Sequence, residues 1–144
     1  MLDAILGIPI GKEDRERAYR NVVGDMKPAE AFARILGGMQ HNTDKAGALL
    51  AAQGIFAVAC TFAIDHGWPR LPALLAILLL FVGALLAMSI LRSTSSPFHT
   101  GAEADAPRMA FRLLISRMVR FNIALYMTFV SIFLLGIVAS SLVM

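Results

Sequence analysis

The chain has 144 residues, of which 58% are hydrophobic and 16% charged, with a formal net charge of +3. Charged residues make up about a quarter of an ordinary soluble domain, so that class is excluded, and a mean hydropathy of +0.69 points to lipid as the solvent. A nucleic-acid binder is excluded too, because the arginines flank apolar runs and form no basic face, as expected of residues that hold membrane helices in place.

In chain order, Met1 to Ile10 is apolar but interrupted by Asp3 and Pro9, with no basic stretch before it. It does not read as a signal peptide, so insertion is expected to depend on internal spans. The mixed-charge stretch GKEDRERAYRNVVGDMK predicts a short solvated helix flanked by glycine. From Pro28 the pattern changes: Phe32, Ile35, Leu36 and Met39 follow the spacing of an amphipathic helix, and Pro28 suits a first turn. Gly37-Gly38 weakens that helix, so a bend or break is expected there. Residues 1–45 thus read as a cytoplasmic, amphipathic helical segment.

The first span is expected from about Ala46 to Ile64 and the second from Leu71 to Leu91, forming a transmembrane hairpin over 46–91. At 1.5 Å per residue the second is about 32 Å long, enough for a hydrocarbon core of about 30 Å. Between them Pro69 ends the first helix and Trp68 is placed as an interfacial anchor. Residues 92–120 read as a cytoplasmic loop, rich in Ser, Pro, Gly and acids, and then a basic amphipathic helix. In that helix Arg112, Ser116, Arg117 and Arg120 share one side, with Phe111, Leu114, Ile115 and Met118 opposite. It either lies on the membrane surface or extends the third span, 121–144, inward. The predicted fold is therefore all-α and polytopic, with three transmembrane helices.

Orientation follows from the basic residues. Lys12, Arg15, Arg17, Arg20, Lys27, Arg34 and Lys45 precede the first span, and Arg70 alone lies in the turn. Arg92, Arg108, Arg112, Arg117 and Arg120 precede the third span, and none follows it. That alternation predicts a cytoplasmic N-terminus and an external C-terminus in the cell inner membrane.

Catalytic patterns are missing from the sequence. His41, His66 and His99 have no partner at i+3 or i+4, and Cys60 stands alone, so neither metal-ligand spacing nor an internal disulfide arises. There is no phosphate loop, no dinucleotide fingerprint and no GxSxG. Neither an enzyme nor a cofactor is expected.

Two features carry interest. Gly47, Ala51, Gly54 and Thr61 fall in one sector of the first span, and Ala76, Gly83 and Ala87 in one sector of the second, with Ser89 pointing away. Small faces let helix backbones approach closely in lipid, either within a tight hairpin or between copies. The second feature is Asn42 to Gly47. It reads as a helix start with Asn42 or Thr43 as cap and Lys45 snorkelling, or as a polar hinge at Asp44 and Lys45 joining a cytoplasmic helix to the bundle. Gln53, beyond it, is placed to make an interhelical hydrogen bond worth about 1 kcal/mol.

The string HNTDKAGALLAAQGIF, residues 41–56, resembles the signature of the small membrane effectors of Pycsar antiphage systems, through Asp44, Lys45, Ala46, Leu49, Leu50 and Gly54. The order of hairpin, cytoplasmic segment and basic helix leading into another span is similar too. This chain is short, with a slight loop and no evident nucleotide pocket in its sequence. The resemblance implies a non-enzymatic effector, triggered in antiviral defence by cyclic UMP or cyclic CMP from a partner cyclase, that impairs the inner membrane. Three mostly apolar helices have no polar stripe across the bilayer within one copy, so either several copies assemble or the bundle thins and deforms the membrane. The basic residues placed to meet a phosphate near the membrane are Arg34, Lys45, Arg112, Arg117 and Arg120, with Asp44 and Lys45 coupling the event to the bundle. The alternative is a small structural or accessory subunit of a larger membrane complex. A transporter is disfavoured by the lack of any ionisable residue in mid-span.

Overall fold

The computed structural model describes residues 11–67, 69–92 and 106–143. The apolar N-terminal stretch 1–10, Trp68, and loop residues 93–105 with His99 lie outside the described residues. Among the described residues four helices are formed: α1, Lys12–Val23; α2, Pro28–Asp65; α3, Arg70–Arg92; and α4, Ala106–Val143.

Their ends have local causes. Glu13 and Asp14 occupy the first turn of α1, where the helix dipole favours negative charge. Gly24, at φ 51, ends α1 and donates its N–H to the Arg20 carbonyl at 2.7 Å, a positive-φ conformation that suits glycine. Pro28 opens α2 after an extended Lys27. Gly67, at φ 87, turns the chain after α2 so that Pro69 can lead into α3.

α2 does not break at Gly37-Gly38. It runs for 38 residues without interruption, because one continuous stripe holds it to its neighbours: Ala31, Ile35 and Met39, then Ala46, Leu49 and Gln53, then Cys60 and Ala63. Packing outweighs the roughly 1 kcal/mol that each helical glycine costs. No helix starts at Asn42 or Thr43 either. Both lie in mid-helix, and Thr43 Oγ1 donates to the Met39 carbonyl at 3.0 Å, a back-bond typical of hydroxyls inside helices. The expected boundary at residue 45 therefore falls within one helix. The basic stretch 112–120 likewise continues into the third span as a single 38-residue helix.

Contacts give the direction of each helix. Along α2 and α4, Ile35 and Met39 cluster with Phe111 and Ile115, Gln53 meets Thr128, and Phe56 and Cys60 lie with Leu135. Residue numbers rise together, so the two helices are parallel. Along α3 the order reverses: Ala76 is level with Ser131, Gly83 with Ala124, and Ser89 with Arg120. The buried stripe of α3 is Ala73, Ala76, Leu80, Gly83, Ala87 and Ile90. Steps of three and four alternate, the period of left-handed bundle packing.

The molecule thus has two halves. α2, α3 and α4 pack on one another, and all three are long and apolar enough to cross a membrane. Around them large apolar side chains point outward, among them Leu71 at 83% exposure, Ile55 at 71% and Phe133 at 69%. An apolar surface of that extent belongs in lipid. Past the end of α3, the first part of α2 continues by about 21 Å and that of α4 by about 17 Å. There α1 takes the place of the third helix, packing Ala18, Tyr19, Val22 and Val23 on the cluster of Ile35, Met39, Phe111 and Ile115. This half, which carries the charged helix α1, forms a stalk on the bundle. The protein is an all-α, multi-pass membrane protein.

Candidate functional site

Polar chemistry collects at three levels along the long axis. The deepest is a seam inside the membrane bundle. Gln53, only 2% exposed, donates from Nε2 to Thr128 Oγ1 at 2.8 Å. Thr128 in turn donates to the Ala124 carbonyl at 2.9 Å. Ser131, fully buried, lies 2.8 Å from the Met127 carbonyl of its own helix and 3.3 Å from the Ala76 carbonyl of α3. Gly83 makes room for the seam. A Cβ there would sit 2.6 Å from Gln53 Nε2 and 3.4 Å from the Ala124 carbonyl oxygen. Gln53 Oε1 is buried and accepts no hydrogen bond from the described residues, an arrangement that costs free energy in a low-dielectric interior.

At the second level, where α3 ends, Arg120 Nη1 donates to Ser89 Oγ at 3.5 Å. Ser89 is half-buried and donates to the Leu86 carbonyl at 2.7 Å. Arg117 is 6% exposed. The polar side expected for the basic helix is therefore divided, with Arg112 exposed and Arg117 turned into the bundle.

The third level is a groove of about 830 Å³ between α1 and the start of α4. Lys12 and Arg15 line it from α1, Arg108 and Arg112 from α4. Its acids are Glu13 and Glu16; Glu16 pairs with Arg108 at 3.4 Å and Glu13 with Arg17 at 3.9 Å. The wall is aromatic. Tyr19 and Phe111 meet edge to face, centroids 5.4 Å apart, and Arg108 lies over the Tyr19 ring at 5.8 Å. Edge-to-face rings and a guanidinium over a ring face are both favourable electrostatically.

The residues singled out from the sequence fall in different places. Gln53, Ala76, Gly83 and Ala87 are buried in the bundle. Ala51, Gly54 and Thr61 are exposed and Gly47 half-buried, with no other atom within 4 Å of where a Cβ on Gly47 or Gly54 would lie. The small sector of α2 thus faces outward, one position away from the stripe that packs. Asp44 and Lys45 are exposed where stalk and bundle meet. Arg34 lies on the stalk, its Nη1 4.0 Å from Met26 Sδ. These cations are spread along α2 and α4 and are not gathered into one pocket.

Sequence reading passed over the groove, whose Lys12, Arg15 and Arg108 are ordinary surface residues until α1 folds back on α4. The apolar face of α1 at Tyr19, Val22 and Val23 was the signal for that docking. It also passed over Thr128 and Ser131, two hydroxyls in an otherwise apolar span. Among the described residues no three metal-ligating side chains come together. What the protein offers is hydrogen bonding, charge and helix packing.

Comparison with protein-family models, with curated proteins and with solved structures finds no match.

Proposed function

We propose that this protein is a non-enzymatic effector of the cell inner membrane that acts in antiviral defence. A cyclic pyrimidine nucleotide from a partner cyclase triggers it, and several copies then assemble and impair the membrane. One observation carries the reading: α2 and α4 each run unbroken from the stalk into the bundle, so an event in the stalk has no flexible joint at which to dissipate. The string around Asp44 and Lys45 lies where the two halves meet. The outward face of Gly47, Ala51 and Gly54, with no packing from its own chain, supports close approach of a second copy. A ligand can drive such a change only if it binds the resting and assembled states with different affinity. The many Lys and Arg residues before the first and third spans, against one in the turn and none after the third span, support a cytoplasmic N-terminus, on the side where the nucleotide is made, and an external C-terminus.

The test is membrane potential in cells expressing the chain with an activated pyrimidine cyclase. Depolarisation on cyclase activation, weakened in Asp44→Ala or Lys45→Ala while insertion is unchanged, is expected. An intact potential under saturating cyclic UMP and cyclic CMP ends the effector reading. The same outward face then supports the other one, an accessory subunit that receives a helix of a larger complex.

A further inference from the structure

The groove between α1 and the start of α4 has the size and chemistry of a ligand site. Its volume of about 830 Å³ lies within the range of about 300–1,000 Å³ typical of small-molecule pockets. Glu13 and Glu16 already have basic partners. Among the described residues Lys12, Arg15 and Arg112 have no acid paired with them, and all three line the same space. Three unopposed cations beside an aromatic wall complement an anion that carries a planar ring.

We propose that this groove binds a soluble nucleoside monophosphate. Lys12, Arg15 and Arg112 hold the phosphate through charge-assisted hydrogen bonds. The base lies against Tyr19, Phe111 and the guanidinium plane of Arg108, surfaces on which bases stack. Because the cations come from both α1 and α4, the ligand draws α1 onto α4 at the far end of the stalk. Choosing a cyclic pyrimidine nucleotide within this class rests on the effector reading; the site itself does not.

A phospholipid headgroup offers the same phosphate, but geometry favours the soluble ligand. Arg112 precedes Phe121, where the third span is expected to begin, by about 13 Å of helix, and Arg108 by about 20 Å. The headgroup layer extends only about 5–8 Å beyond the hydrocarbon.

The experiment uses the full chain in phosphatidylcholine nanodiscs, titrated calorimetrically with cyclic UMP, cyclic CMP, the open monophosphates UMP and AMP, and inorganic phosphate. Saturable nucleotide binding, about ten-fold or more tighter than phosphate, is expected. Arg15→Gln and Arg112→Gln should each weaken it about ten-fold, the loss that follows from one charged hydrogen bond. Both side chains are exposed, so unchanged thermal unfolding separates lost contacts from lost folding. Tyr19→Ala should weaken nucleotide but not phosphate. Nucleotide binding no tighter than phosphate, or unaffected by both arginine variants, overturns the proposal. So does loss of nucleotide binding when phosphatidylglycerol replaces part of the lipid. If the variants still depolarise cells on cyclase activation, the effector reading stands and this site falls. If nucleotide binds as described while cells stay polarised, the site stands and the effector reading falls.

Discussion

The stalk and the membrane bundle are built from the same two helices and yet pack by opposite rules. In the stalk most of the buried apolar side chains are large, Ile35, Met39, Phe111 and Ile115 with Ala31 and Ala110 between them, and Tyr19 and Phe32 pack beside them. In the bundle the buried positions are mostly small, Ala46, Ala73, Ala76, Gly83, Ala87, Ala124 and Ser131, while Ile55, Phe62, Leu71, Phe81 and Phe133 face outward. The stalk carries the charged residues of α1 on its surface, and burying apolar bulk is favourable where the alternative is water. Lipid offers no such driving force, so helices associate by close backbone approach and a few hydrogen bonds. One continuous stripe along α2 changes from Ile and Met to Ala, Gln and Cys on passing from one solvent to the other.

The sharpest way to break this comparison is to remove bulk from the stalk. Phe111→Ala should cost about 3–5 kcal/mol, the usual loss for an aromatic core residue, and release α1. Hydrogen exchange across residues 12–23 would report this, and a protected α1 in the variant would show that the aromatic cluster does not hold it. The reverse change, adding bulk to the bundle, comes next. Gly83→Leu should destabilise by about 1–3 kcal/mol through overpacking, because even a Cβ meets Gln53 and the Ala124 carbonyl. Gly54→Leu should leave a single copy as stable as wild type and act only on association between copies. Detergent unfolding beside cross-linking separates the two, and equal loss of stability in both variants would refute the assignment of inner and outer faces.

Two smaller effects sharpen the picture. Thr128→Val deprives Gln53 Nε2 of its acceptor and should cost about 1 kcal/mol. Gln53→Leu also removes the oxygen that accepts no bond and should be closer to neutral. Unfolding in denaturing detergent ranks them, and a Gln53→Leu penalty larger than that of Thr128→Val would count against the seam as described. Least of all, Asp44→Ala and Lys45→Ala change exposed side chains and should shift stability by no more than about 0.5 kcal/mol. A larger shift in unfolding would mean that any weakened depolarisation in these variants reports folding.

Much of the fold was legible because the bilayer imposes a coarse rule. An uncharged apolar run such as Leu71 to Leu91 has little choice but to span, and the second and third spans needed no tertiary information. The faces were harder. Small residues at Gly47, Ala51 and Gly54 look like a packing surface, but Ala46, Leu49, Gln53 and Cys60 form the stripe actually used. Two sectors of similar composition lie side by side on α2, and only the partner helix chooses between them. Continuity of α2 was hidden for a related reason. Gly37-Gly38 and the capping residues at 42 and 43 are local signals, and contacts with α4 overrule them. Gly83 was legible as a close-approach position because it sits among alanines at heptad spacing. The groove was not, since it exists only after α1 returns to the start of α4.

The parallel pairing of α2 and α4 has a mechanical consequence. Two rods about 57 Å long, in contact from Ile35 with Phe111 to Cys60 with Leu135, pass a displacement at one end to the other nearly undiminished. Their interlocking side chains act as detents. Sliding one rod along its neighbour leaves knobs without holes until the pattern re-engages, about one helical turn or 5.4 Å further on. Packing of this kind favours stepwise over graded travel, so if an event in the stalk slides one rod along the other, a two-valued response is expected. Spin labels on Gln40 of α2 and Met109 of α4, both exposed, would show this as two fixed distances exchanging in population. A single distance drifting with dose would mean that the rods slip freely.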